Sequence, residues 1–363
     1  MSALAAEVGA INLSQGFPDF DTSPELIELV SAAMKNGHNQ YAPMPGLMAL
    51  REQIAQKTEK LYGAIYNPDT EITITAGGTE AIYTAITAII NPNDEVIIFE
   101  PAYDCYAPAI KLAGGIVKSL ELEPPDYRIA WDMVKRLINN KTRMIILNSP
   151  QNPTATILHK EDIDALCALV KNQDILILSD EVYEHLIFDG EKHHSMAKYA
   201  ELRKRSFVVG SFGKPFHATG WKVGYCLAPA FLMQEFRKVH QFVVFSVNTP
   251  LQHALAEYLK NEEHYLGLSA FFQQKRDYFR RGMEQTRFEL LPCYGSYFQS
   301  VSYHHITDEK DCDFALRLTK EICVASIPTS VFYTQGTDHH VLRFCFAKTQ
   351  ETMDEAIERL MKI

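Results

Sequence analysis

The amino-acid sequence predicts an α/β protein, with a large domain on a mostly parallel seven-stranded sheet and a smaller α+β lobe. Three observations predict it. Between residues 71 and 228, short and near-continuous apolar runs alternate with amphipathic stretches, the pattern of strands covered on both faces by helices. After Pro229 the strands stop, and from residue 287 strands and helices return in a different order. The 363 residues also exceed the roughly 250–300 at which single cores stop growing, so two lobes are expected.

The elements follow in chain order. Gly16 and Pro18 mark a loop after a short apolar start. Ser23-Pro24 reads as N-cap and N1 of a helix ending at Asn36-Gly37, with Leu26, Ile27, Val30, Ala33 and Met34 at helical spacing. A second amphipathic helix runs from about Gly46 to Tyr62. Strands are predicted at 71–75, 95–99, 116–120, 143–147, 175–179, 207–210 and 223–228. The intervening helices fall at 81–90, 103–112, 131–138 and 160–170. Helices at 231–239 and 250–259 follow, then one long helix over 264–286. The last stretch predicts strands near 297–303 and 341–346 and helices near 311–322 and 349–361.

Bulk properties exclude several classes. The net charge of −10 argues against a general nucleic-acid binder, which needs a basic footprint. Seven scattered cysteines without a C-x-x-C argue against a disulfide framework or zinc site and fit a reducing, cytoplasmic setting. No signal peptide is visible at the start, and the longest apolar patches are too short to cross a membrane. The histidine pairs at 193–194, 304–305 and 339–340 have no partner at metal spacing, and no G-x-G-x-x-G or P-loop is present.

Ligands of open α/β sheets bind beyond the carboxyl ends of the strands. Five predicted strands there deliver Gly77-Gly78-Thr79, Tyr103, Asn152, Asp180 with Tyr183, and Ser211 with Lys214. Taken singly these are ordinary: a turn with an N-cap, a packing aromatic, a turn, a helix cap, a lysine after a glycine. Lys222, eight positions past Lys214, is alone a surface lysine. Their joint placement fits a phosphate-bearing carbonyl cofactor, pyridoxal 5′-phosphate. A lysine amine can bond its carbonyl. A glycine turn at a helix start, with Ser211 and Lys222, can hold its phosphate. Asp180 can keep its ring nitrogen protonated, Asn152 and Tyr183 can donate to its phenolic oxygen, and Tyr103 can stack on the ring.

The set Asn152-Pro153, Asp180-Glu-Val-Tyr183, Ser211-Phe-Gly-Lys214 and Thr219-Gly-Trp-Lys222 resembles the class I, fold type I, pyridoxal-phosphate-dependent aminotransferases. Its intervals of 28, 34 and 8 residues agree, and the likeness spans essentially the whole chain. The resemblance implies that Lys214, Asp180 and Tyr183 are catalytic. It implies that Gly78, Thr79, Ser211 and Lys222 bind phosphate, and that Arg343, Asn152 and the Gly16 loop take the substrate carboxylate. It further implies a homodimer in which Tyr41 reaches the neighbour's phosphate. Residues 1–37 and 278–363 would form the small domain and residues 38–277 the large one. Within the family, Gln15-Gly-Phe-Pro-Asp19, Asn39-Gln-Tyr41 and Glu100-Pro-Ala-Tyr103-Asp-Cys-Tyr106 resemble the methionine, glutamine/kynurenine and aromatic branch. Phe17, Tyr41 and Tyr103 suit a thioether or aromatic side chain, and no second arginine is assigned to a dicarboxylate. The expected reaction is ping-pong transfer of an amino group from an L-amino acid to a 2-oxo acid, with cysteine-conjugate β-lyase chemistry as the alternative. Family members carry a longer arm before the Gly16 loop, so part of that arm is expected to be missing here.

Overall fold

The computed structural model describes residues 1–363. Its centre is a seven-stranded sheet in the order Ile72–Thr75, Gly224–Leu227, Ser206–Ser211, Leu176–Asp180, Thr142–Asn148, Glu95–Glu100 and Ile116–Glu121. Apolar side chains alternate between its two faces, as the period of two requires. Ile97, Ile145, Ile177 and Val208 join one buried cluster, whereas Ile98, Ile146, Leu178 and Val209 join the other. Both faces are therefore covered, which explains why these strands read as continuous apolar runs. The edge strand Ile116–Glu121 is half-exposed and carries charge, a composition that discourages further pairing.

Six strands point the same way. Gly224–Leu227 is antiparallel to both neighbours, with Gly224 opposite Thr75 on one side and Ser211 on the other. Its amino end thus lies on the edge where the others have their carboxyl ends. That topology brings Lys222 to the same edge as Lys214.

The second sheet is antiparallel, in the order Ile327–Pro328, Val341–Cys345, Phe298–Ser302 and Glu289–Leu290. Ile11–Asn12 pairs in parallel with Val324–Ala325, so the N-terminal segment is stitched to this lobe. The helix Pro24–Lys35 behaves differently and packs on Thr249–Tyr258, beside the large sheet.

Several elements differ from the sequence expectation. A helix at Ser2–Val8 precedes the first loop. The helix expected from Tyr103 begins at Tyr106. A turn precedes it, closed by the Tyr106 N–H donating to the Tyr103 carbonyl at 3.2 Å. The long helix after residue 263 is divided at Gly267 into Glu263–Leu266 and Leu268–Met283, glycine being a poor helix former. The helix from Asp311 widens into a π-turn over Leu318–Ile322.

Candidate active site

A pocket of about 650 Å³ opens at the common strand edge. It is lined by Gly78, Thr79, Tyr103, Asn152, Asp180, Tyr183, Ser211, Lys214 and Lys222, so one cavity gathers residues from six strands.

One end is built for an anion. Gly77 takes a positive φ of 82° and launches the helix Gly78–Ile89. The backbone N–H groups of Gly77, Gly78 and Thr79 have no hydrogen-bond partner in the protein, as expected at a helix start. Lys222 adopts a left-handed conformation, and its ammonium lies over the turn. A Cβ on Gly77 would come within 3.2 Å of that nitrogen. No carboxylate pairs with Lys222 or with Lys214. Gly224 has no room for a side chain: a Cβ there would meet the Gly210 carbonyl oxygen at 2.8 Å and the Gly77 carbonyl carbon at 2.9 Å. This closeness seats the turn against the strand. Three unpaired donors beside an unpaired ammonium fit a phosphate group.

The other end carries an acid. Asp180 is buried, and burial pushes its carboxyl up to about 6. Two donors oppose that shift: the Tyr106 hydroxyl at 2.6 Å and the Val182 N–H at 3.3 Å. Tyr106 is itself buried and lies edge-on to Tyr103, whose hydroxyl is 3.2 Å from that of Thr79. Between the ends sits Lys214. Burial, with Lys222 and Arg343 nearby, lowers its amine to about 8. The amine donates to the Gly16 carbonyl at 3.2 Å and lies 5.8 Å from the Tyr183 ring.

Arg343 stands just behind this wall. One guanidinium nitrogen donates to Asn152 Oδ1 at 2.5 Å and another to the Ser14 carbonyl at 3.0 Å. The group stacks 4.0 Å over Phe298, and its buried Nε has no partner. Asn152 is held in turn by Asn148, whose side-chain oxygen accepts the Asn152 N–H and whose amide donates to the Asp180 carbonyl.

The sequence matches the model for "Aminotransferase class I and II" over residues 8–360. The chain belongs to that family. It is 50% identical to a methionine aminotransferase of Escherichia coli (strain K12), across 100% of this chain and 94% of that protein. It is 34% identical to a probable N-succinyldiaminopimelate aminotransferase of Mycobacterium tuberculosis, across 99% and 94%. The crystal structure of Escherichia coli YbdL, identified there as a methionine aminotransferase, superposes with a TM-score of 0.98. It covers 100% of this chain and 96% of the other at 50% identity. The protein is therefore an aminotransferase, and its large sheet and helices are those of the family fold.

Two further expected residues, Gly16 and Tyr41, lie outside the pocket lining. The Gly16 carbonyl accepts from Lys214 and from the Tyr297 hydroxyl at 2.7 Å. A Cβ on Gly16 would meet the Phe298 ring at 2.7 Å, so packing also accounts for the glycine. Tyr41 lies outside its own pocket, 80% exposed and edge-on to Phe245 at 5.4 Å. Sequence reasoning gave no role to Tyr106, Asn148 or Tyr297. Only Tyr106 carried a signal, as the end of the Tyr103-Asp-Cys-Tyr106 run. Family members are generally dependent on pyridoxal phosphate, and no helix here is long and apolar enough to cross a membrane.

Proposed function

We propose that this aminotransferase binds pyridoxal 5′-phosphate on Lys214 and moves the amino group of an L-amino acid with a thioether or aromatic side chain to a 2-oxo acid. One observation carries the reading. A buried amine of lowered basicity lies in one pocket between a buried carboxylate and an unpaired ammonium above a glycine turn. Gly78, Thr79, Ser211 and Lys222 would hold the phosphate. Asp180 would hold the proton on the ring nitrogen, Tyr103 would cover a ring face, and Asn152 and Tyr183 would donate to the ring oxygen. When bound, the cofactor supplies an electron sink for ionising the substrate Cα–H bond.

The side chains do the rest. Lys214, with an amine near pH 8, is the base and acid that carries the Cα proton. Arg343, held beside Asn152, would present a planar fork to the substrate α-carboxylate. Tyr103 in the pocket wall would offer apolar surface to the substrate side chain, and the full-length likeness to methionine aminotransferase supports a thioether donor. We also infer a homodimer that places Tyr41 in the neighbour's cradle, since Tyr41 is exposed away from its own. Seven free cysteines suit a cytoplasmic setting. The lobes divide before Pro24 and near residue 278, since the helix Pro24–Lys35 packs on Thr249–Tyr258 of the large lobe.

Titration of the protein with pyridoxal phosphate tests this. The visible band of the lysine-bound cofactor is expected, with bleaching by L-methionine and recovery on adding a 2-oxo acid. A Lys214→Ala protein that shows the same band would overturn the role of Lys214. A band unmoved by methionine would move the donor to aromatic amino acids.

A further inference from the structure

The first turn of the helix Gly78–Ile89 carries an acid, Glu80, beside the residues assigned to phosphate. A carboxylate there favours a free helix start, but it opposes a bound dianion. The structure deals with that carboxylate in a specific way. Glu80 Oε2 accepts the Ala76 N–H at 3.1 Å. Its Oε1 accepts the Thr84 hydroxyl at 2.7 Å and lies 2.9 Å from His240 Nδ1. His240 is fully buried on the helix Ala230–Val243, which packs along Gly78–Ile89. Its Nε2 lies 3.2 Å from the Met44 carbonyl.

These partners fix the protons. A carbonyl only accepts, so Nε2 carries hydrogen. A carboxylate oxygen 2.9 Å from Nδ1 requires a second proton between them, whichever atom it is written on. The His240–Glu80 pair therefore has no net charge. No lysine or arginine pairs with Glu80, so this neutralisation rests on His240. Through Met44 the same imidazole ties the cradle to the segment that follows Tyr41.

We propose that His240 is a positioning residue of the phosphate cradle, cancelling the charge of Glu80 and bracing it against Ala76 so that the turn presents its free N–H groups to an unopposed dianion. This rests on the reading of the cradle as a phosphate site. The test uses three probes on the cofactor-free protein: pyridoxal phosphate, inorganic phosphate, and pyridoxal, which has the same ring and aldehyde without phosphate. At pH 8, His240→Gln is expected to weaken both phosphate probes about tenfold, the effect of one uncompensated nearby charge, and to leave pyridoxal within about twofold. Adding Glu80→Gln restores phosphate binding, and Glu80→Gln alone binds phosphate at least as tightly as wild type. Equal losses for pyridoxal and pyridoxal phosphate would reduce His240 to packing and overturn the proposal, as would failure of Glu80→Gln to rescue. Should His240→Gln not fold, Glu80→Gln alone decides, and weaker phosphate binding by that variant overturns it. Wild-type protein that binds neither phosphate probe removes the phosphate reading and this proposal together.

Discussion

Lys214, proposed to bond the cofactor, carries a cost in stability. Burial lowers its amine from 10.5 to about 8 in the folded protein, while the unfolded chain keeps the higher value. Between those values the unfolded state binds more protons than the folded state. Stability therefore rises with pH across that window, and below it the folded protein bears the full cost of a buried ammonium. Lys214→Met, which keeps the stem and removes the charge, is expected to raise the melting temperature of the cofactor-free protein at pH 7. The gap should narrow as the pH climbs past 8. Calorimetry at several pH values checks this, and a variant no more stable than wild type at pH 7 would contradict it. At this scale the sequence showed Lys214, Asp180 and Asn152, because each follows a strand within a few positions. It did not show Tyr106, Asn148 or His240. Their significance lies in partners 74, 32 and 160 positions away, which no local pattern encodes.

Among the elements, the strand Gly224–Leu227 matters most for the site. Reversed between parallel neighbours, it starts where they finish and so delivers Lys222 to the cradle. Its apolar run was visible in the sequence, but its direction was not, since a short buried strand reads the same both ways. The chain passes tightly at Gly224. A Cβ there would strike backbone atoms of Gly210, Gly77 and Gly78 at 2.8 to 3.1 Å, and none is the free end of a flexible side chain. Gly224→Ala is thus expected to cost about 1–3 kcal/mol, the usual range for overpacking. It should also weaken inorganic phosphate, because the clash falls on the turn that bears the free N–H groups. Denaturant melts and phosphate titration read the two effects, and normal stability with normal phosphate affinity would disprove the account. The break at Gly267 teaches the converse. Apolar spacing continues through it, so periodicity predicts one helix where the backbone makes two.

For the molecule as a whole, the exposed apolar surface around Tyr41 bears on the proposed homodimer. Phe242 is 86% exposed at the end of its helix, and Val243 and Phe245 are also exposed beside Tyr41. The Tyr41 segment is held firmly for all its exposure. Thr249 bonds the Gln40 carbonyl and the Ala42 N–H, and Ser246 bonds the Ala42 carbonyl. Exposed apolar patches of this kind commonly mark association surfaces, which supports the proposed homodimer. In the proposed homodimer it would be covered by a second copy, and Tyr41 would enter a cradle that its own chain cannot reach. Sedimentation velocity should then find wild type at twice the 41.2 kDa chain mass. Phe242→Asp places a charge in the contact, where it can be paired only by rearrangement, and should shift the protein toward monomer. The same variant should bind pyridoxal phosphate more weakly, although residue 242 lies outside the pocket, because each cradle loses the other chain's tyrosine. A wild-type monomer that holds the cofactor tightly would refute the shared site. A Phe242→Asp monomer with undiminished affinity would keep the dimer and remove Tyr41 from the cradle.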